Sequence, residues 1–144
     1  MSLSPEQLER MRERRQGTMM ELVGYQVIEA SKERVLAEIA FRDDLRQPTG
    51  LFHAGAILTL ADTTATTLAS LHTQASPDDF DPTRFPLTVQ LSANFIGNSR
   101  TGKLVAEAVP VHVGRRVIVV QTTVRSEEGR LFTTVTNTMV NPSA

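Results

Sequence analysis

The chain is 144 residues long, carries 15 Lys and Arg against 16 Asp and Glu for a net charge of −1, and has no cysteine. That length makes one domain with a real core; the near-neutral balance gives no electrostatic footprint for a nucleic acid or an acidic membrane; and the missing thiol excludes disulfides, thiolate nucleophiles and cysteine zinc sites. No apolar run approaches the roughly 20 residues of a membrane helix, and Met1-Ser2-Leu3-Ser4-Pro5 lacks a basic region followed by an apolar stretch, so it reads as an ordinary terminus rather than a signal peptide. The expectation is a cytoplasmic protein that acts on a small molecule, without metal or cofactor.

Ser4-Pro5-Glu6-Gln7 predicts a helix start, with Ser4 as cap, Pro5 at the first position and Gln7 closing a capping box. The helix runs to about Gln16, where Arg10, Arg12, Arg14 and Arg15 interleave with Glu6, Glu9 and Glu13 as a solvated, salt-bridged face. Residues 1–21 are thus a helix and lead-in, and 22–144 the main domain. Between Tyr25 and Arg42, alternation of Val35, Ala37, Ile39 and Phe41 with Leu36, Glu38 and Ala40 predicts a hairpin turning near Ser31 to Glu33. A helix is then predicted from Ala54 to Leu71. Residues 72–85, with Pro77, Asp78, Asp79, Asp81 and Pro82, read as a surface loop. Strands are predicted over 87–96, 103–113, 116–125 and 130–140, separated by Gly-rich turns at 97–102, 114–115 and 126–129. Because each connection is short, these four are expected to form an antiparallel meander.

The helix contains the most informative residue. From Ala54 to Leu71 every residue is Ala, Gly, Thr, Ser, Leu or Ile except Asp62. A helix apolar nearly all round belongs inside a core, and an unpaired carboxylate buried there costs several kcal/mol, so its retention points to use. Just upstream, Gln47 is followed after three residues by Gly50, then by His53-Ala54-Gly55, and one helical stretch later by Leu60-Ala61-Asp62. These motifs and the order of elements, over about residues 22–140, resemble the hotdog fold of the phenylacetate-pathway (PaaI-like) acyl-CoA thioesterases and their hydroxybenzoyl-CoA relatives. Ala54 stands where the first glycine of the family turn is usual. The resemblance implies an α+β hotdog fold, in which a long curved antiparallel sheet wraps one central apolar helix, and a homodimer with sheets joined edge to edge, often paired further into tetramers.

The residues argue for the same chemistry. Thioester hydrolysis needs donors for the oxyanion and a base or nucleophile opposite. The N–H groups of Ala54 and Gly55 open a helix, where donors lack internal partners and the dipole is positive. Asp62 would be general base or nucleophile, with both roles open, and Gln47 would orient the water or substrate. Asp62 lies eight residues beyond Ala54, roughly 12 Å along one helix. One helix therefore cannot present both groups to one carbonyl, and the site must combine two subunits across a twofold axis. His53 and Thr66 are supporting residues. Arg115, Arg116 and Asn98 are candidates for the phosphates of coenzyme A.

Other signals fail on context. Gly97 to Lys103 has the first part of a phosphate-binding loop, but Leu104 replaces the required Ser or Thr and the residues after it are strand-like, so a hairpin turn is expected. There is no Gly-x-Ser-x-Gly or Gly-x-Gly-x-x-Gly, and His72 and His112 lack metal-ligand spacing. The expected activity is hydrolysis of aromatic or medium-chain acyl-CoA. A non-catalytic acyl-CoA binding or sensing protein and an enoyl-CoA hydratase on the same scaffold stand as alternatives, the latter lacking a close His partner for Asp62.

Overall fold

The computed structural model describes all residues 1–144. Ser4 caps α1 (Pro5–Arg14) with both halves of the capping box formed. A one-turn helix, α2 (Met19–Leu22), leads into the hairpin β1 (Gln26–Ala30) and β2 (Val35–Ala40). The long helix α3 (Ala54–Thr73) comes next, and then β3 (Leu87–Phe95), β4 (Lys103–Val113), β5 (Val117–Ser126) and β6 (Leu131–Val140).

All six strands form one antiparallel sheet in the order β1-β2-β4-β5-β6-β3. This corrects the expected meander: β4, β5 and β6 are consecutive neighbours, whereas β3 crosses to the far edge and pairs with β6. The segment 97–102 is a crossover, not a hairpin turn. Its length could not distinguish the two, because six extended residues reach up to about 20 Å and crossing two intervening strands takes only about 14 Å. The crossover is held beneath the lead-in to α3, where Asn98 brackets Phe52: its Oδ1 accepts from Phe52 N at 3.1 Å and its Nδ2 donates to Phe52 O at 2.9 Å.

One stripe of α3 lies on the sheet. Ile57, Leu60, Ala61, Ala65 and Leu68 are fully buried, at the three- and four-residue spacing of a single helix face. The alanines let the helix axis come close to the strands. They pack against Ala37, Ile39, Leu104, Ala106, Val124 and Val135 in one cluster and Val35, Ala108, Ile118, Val120 and Met139 in a second. At about 25 cal/mol per Å² this apolar contact is the dominant stabilising term. The opposite stripe, Thr59, Asp62, Thr63, Thr66 and Ser70, is only partly buried. Helix α3 is therefore two-faced rather than buried all round.

The N-terminal arginines also differ from expectation. Only Arg12 pairs within the helix, with Glu9. Arg10 pairs with Asp78, and Arg14 donates to the carbonyls of Pro77 and Asp78 at 3.0 and 3.1 Å. The basic face thus fastens the 74–85 segment, which lies over the polar stripe of α3 instead of being a bland surface loop.

Candidate active site

The lead-in to α3 is built by a turn in which Gly50 N donates to Gln47 O at 2.9 Å. Gly50 has φ +91°, a left-handed conformation that glycine adopts without steric penalty. His53 then caps the helix, its Nδ1 accepting from Gly55 N at 2.8 Å. With Nδ1 as acceptor, the neutral ring carries its proton on Nε2. Two expectations separate here. The Gly55 N–H is committed to His53 and is not a free oxyanion donor, while the Ala54 N–H, at the first helical position, has no acceptor in the chain. Ala54 is exposed, so that donor is open to a ligand.

Asp62 is half-buried rather than fully buried, and it is not unpaired. Its Oδ1 accepts from Thr88 Oγ1 at 2.8 Å and from Asn137 Nδ2 at 2.7 Å. Its Oδ2 accepts no hydrogen bond from the chain. The two donors come from β3 and β6, neighbouring strands in the sheet, so sheet pairing fixes the carboxylate from outside its own helix. Asn137 is fully buried, with its own Oδ1 unpaired. Such an orphaned acceptor costs on the order of 1–3 kcal/mol.

Thr88 and Asn137 escaped the sequence reading. A signal for Asn137 existed: along β6 it occupies the buried alternation with Val135 and Met139, where an amide has no packing reason to be. Thr66, expected to support the site, donates to Asp62 O at 2.8 Å, a bond of the helix backbone and not of the carboxylate.

Asp62 lines a cleft of about 530 Å³ between α1, α3 and the 74–85 segment, walled by Met11, Met20, Phe80 and Phe85 and floored by the helix threonines. Gln47, Ala54 and Gly55 do not line it. The Gln47 amide donates to Thr49 Oγ1 at 2.7 Å, and within one subunit nothing brings it to Asp62. Of the residues expected to meet coenzyme A, Asn98 bonds both backbone groups of Phe52 and accepts from Ser99 N at 2.7 Å, which leaves one N–H of its amide uncommitted. Arg115 and Arg116 are exposed in the β4–β5 turn, without ion-pair partners. No helix is long and apolar enough to cross a membrane.

The chain resembles known proteins in sequence and in fold. The family model of the Thioesterase superfamily matches residues 49–133, more than half of the chain, including Ala54, Asp62 and Thr88 but not Asn137. ComA2 of Bacillus subtilis, provisionally designated an esterase, is 31% identical over 118 residues, covering 80% of this chain and 86% of that protein. A 1,4-dihydroxy-2-naphthoyl-CoA hydrolase of Listeria monocytogenes is 20% identical over 114 residues, covering 79% of this chain and 87% of that one. Among solved structures, a thioesterase of Haemophilus influenzae superposes with a TM-score of 0.83 at 23% identity, over 95% of this chain and 92% of that one. The sheet order, the central helix and the matched segment together make the chain a hotdog protein that belongs to the Thioesterase superfamily.

Proposed function

We propose that the protein hydrolyses acyl-CoA thioesters, with the carboxylate of Asp62 acting on the carbonyl carbon or on the attacking water and the N–H of Ala54 from a second subunit stabilising the oxyanion. The observation that carries this reading is the state of Asp62: one oxygen is held by Thr88 and Asn137, and the other is free in a cleft. A carboxylate fixed this way loses little freedom at the moment of reaction, which is where positioned groups gain their advantage. In the reaction water supplies OH to the acyl carbon, the C–S bond breaks, and the water proton passes through Asp62 to the departing thiolate. A single oxyanion donor is worth roughly 2.7 to 4 kcal/mol of transition-state stabilisation. The naphthoyl-CoA hydrolase among the relatives supports a CoA thioester as substrate, and the aromatic and methionine walls of the cleft suit an aromatic or medium-chain acyl group. The spacing of Gln47, Gly50, His53-Ala54-Gly55 and Asp62 supports the phenylacetate-pathway type.

A second copy is required because Ala54 and Asp62 are separated by roughly 12 Å along α3. Thr88, which holds Asp62, belongs to β3, an unpaired edge of the sheet. A subunit added at that edge adjoins the carboxylate and can offer its own Gln47 and Ala54. No histidine of the same chain lines the cleft with Asp62, so an Asp–His pair is not formed within one subunit.

The test is thiol release from a panel of aromatic and aliphatic acyl-CoAs by the wild type and by Asp62→Asn. Turnover in the wild type and a fall of at least about a hundredfold in the variant are expected. Binding of acyl-CoA with no turnover on any member would overturn the hydrolase reading in favour of a binding module.

A further inference from the structure

Four arginines lie close together at the end of α1, and three have acceptors: Arg10 has Asp78, Arg12 has Glu9, and Arg14 has two backbone carbonyls. Arg15 has neither a carboxylate nor a carbonyl. Its guanidinium stands 4.9 Å from the Tyr25 ring centre and makes one long contact, Nη2 to Thr67 Oγ1 at 3.4 Å. It lines the same cleft as Asp62. A guanidinium has five N–H donors, so most of its capacity is unused. Tyr25 beneath it is 5% exposed and cannot supply charge, because burial raises its pKa and keeps the phenol neutral. Burial likewise lowers the pKa of Arg15, the direction expected for a cation short of solvent and of a counter-charge.

The spacing relates this cation to the reaction centre. Thr67, which touches Arg15, is five residues beyond Asp62 on α3, roughly 7.5 Å along the axis. An acyl group whose thioester carbonyl sits at Asp62 and which extends along the threonine floor therefore ends at Arg15. A plain hydrocarbon ending there would strip water from the guanidinium and give nothing back, and dehydrating a charge without a partner is strongly unfavourable. A terminal carboxylate would instead form the paired, charge-assisted contact that Arg15 lacks.

Resting on the thioesterase reading above, we infer that Arg15 is a specificity-determining residue that selects acyl groups ending in a carboxylate, so that the preferred substrates are CoA thioesters of dicarboxylic acids about six carbons long. Three hydroxyls of the floor do not compete for that carboxylate, since Thr66, Thr67 and Ser70 donate to backbone carbonyls of the helix; the fourth, Thr63, adjoins Asp62 at the thioester end of the cleft rather than Arg15.

The experiment compares kcat/KM for hexanoyl-CoA and its ω-carboxylated counterpart adipoyl-CoA, in the wild type, Arg15→Met and Arg15→Gln. The ratio within each protein does not depend on how much of it is folded. The wild type is expected to prefer adipoyl-CoA by at least about tenfold, chiefly through KM, and the ratio should collapse to one or below in both neutral variants. Equal treatment of the pair by the wild type, or a preference that survives in either variant, would overturn the assignment and leave the thioesterase reading standing. A wild type that cleaves neither compound nor any member of the wider panel would overturn both.

Discussion

Asn137 Nδ2 lies 2.7 Å from Asp62 Oδ1, a contact that ties the last strand to the central helix across 75 residues of chain. Its energetic character separates positioning from packing. Asn137 is buried with an unpaired carbonyl oxygen, so Asn137→Leu, close to isosteric, removes an orphaned acceptor together with the bond to Asp62. The two effects are of similar size, about 1 to 3 kcal/mol each, and the variant is expected to keep wild-type stability within about 1 kcal/mol. Asp62, left with Thr88 alone, should then lose its fixed orientation and kcat should fall roughly 10- to 100-fold with little change in KM. Thermal unfolding and steady-state kinetics on the same preparation check this. A stable variant with full kcat would show that Asn137 only fills space.

The start of α3 gives a second separation. A Cβ added at Gly55 would come 2.9 Å from His53 Nδ1, too close for the ring to remain as the cap. Loss of a cap costs about 0.5 to 2 kcal/mol, whereas Gly→Ala inside a helix gains up to about 1 kcal/mol. Gly55→Ala should therefore change stability by no more than about 1 kcal/mol, while His53→Ala, which loses the cap without the propensity gain, should be destabilised by about 1 kcal/mol. Both shift the adjacent Ala54 N–H and should lower kcat. Urea denaturation of the pair gives the comparison, and a Gly55→Ala protein as destabilised as His53→Ala would mean that the propensity gain is absent.

These residues also mark what could be read from the sequence. The Ser4–Gln7 capping box, the start of α3 at Ala54 and the alternation of β2 depend on neighbours within a few residues, and each formed where the pattern placed it. The placement of β3 did not, because a six-residue linker fits a hairpin or a crossover equally well. Asp62 was legible as an anomaly, but its partners Thr88 and Asn137 lie 26 and 75 residues away, and only strand order brings them to it. For the same reason the pairing expected of Arg10 along its own helix gives way to Asp78, 68 residues on. Periodicity reports which face of an element is buried; it carries no information about which distant polar group that face will meet.

The clamp between α1 and the 74–85 segment should be sensitive to acid. The hydrogen bond from Arg10, chiefly, holds the Asp78 carboxyl below its ordinary value of 3.8. A carboxyl depressed in the folded state contributes stability that is present above the unfolded pKa and is lost as pH falls through the folded one. The segment should be held at neutral pH and loosen below about pH 4. Both groups are exposed, so the effect is local rather than global. Hydrogen exchange of residues 76–82 at pH 3 and pH 6, corrected for intrinsic rates, should show acid-induced loss of protection in the wild type and none in Asp78→Asn, where the pair is absent at both. An Asp78→Asn segment that still loosens in acid would place the titrating group elsewhere.

The edge strand β3 decides whether the site is shared between subunits. It pairs only with β6 and exposes Leu87, Val89 and Phe95, an open ladder with apolar side chains of the kind that invites another strand. If two copies pair here across a twofold axis, residues near the middle of β3 approach their own counterparts. Gln90 and Ser92 flank that midpoint and are exposed, so the double variant Gln90→Lys, Ser92→Lys would set like charges against each other in the dimer while burying nothing in the monomer. Size-exclusion chromatography with light scattering should show a dimer or larger assembly for the wild type and a monomer for the variant, with unchanged circular dichroism. Turnover should fall at least about a hundredfold on dissociation, since the monomer keeps Asp62, Thr88 and Asn137 but has no Ala54 N–H opposite them. A folded monomer that hydrolyses acyl-CoA at the wild-type rate would mean that one chain supplies every catalytic group, and would return the oxyanion donor to the cleft of Asp62 itself.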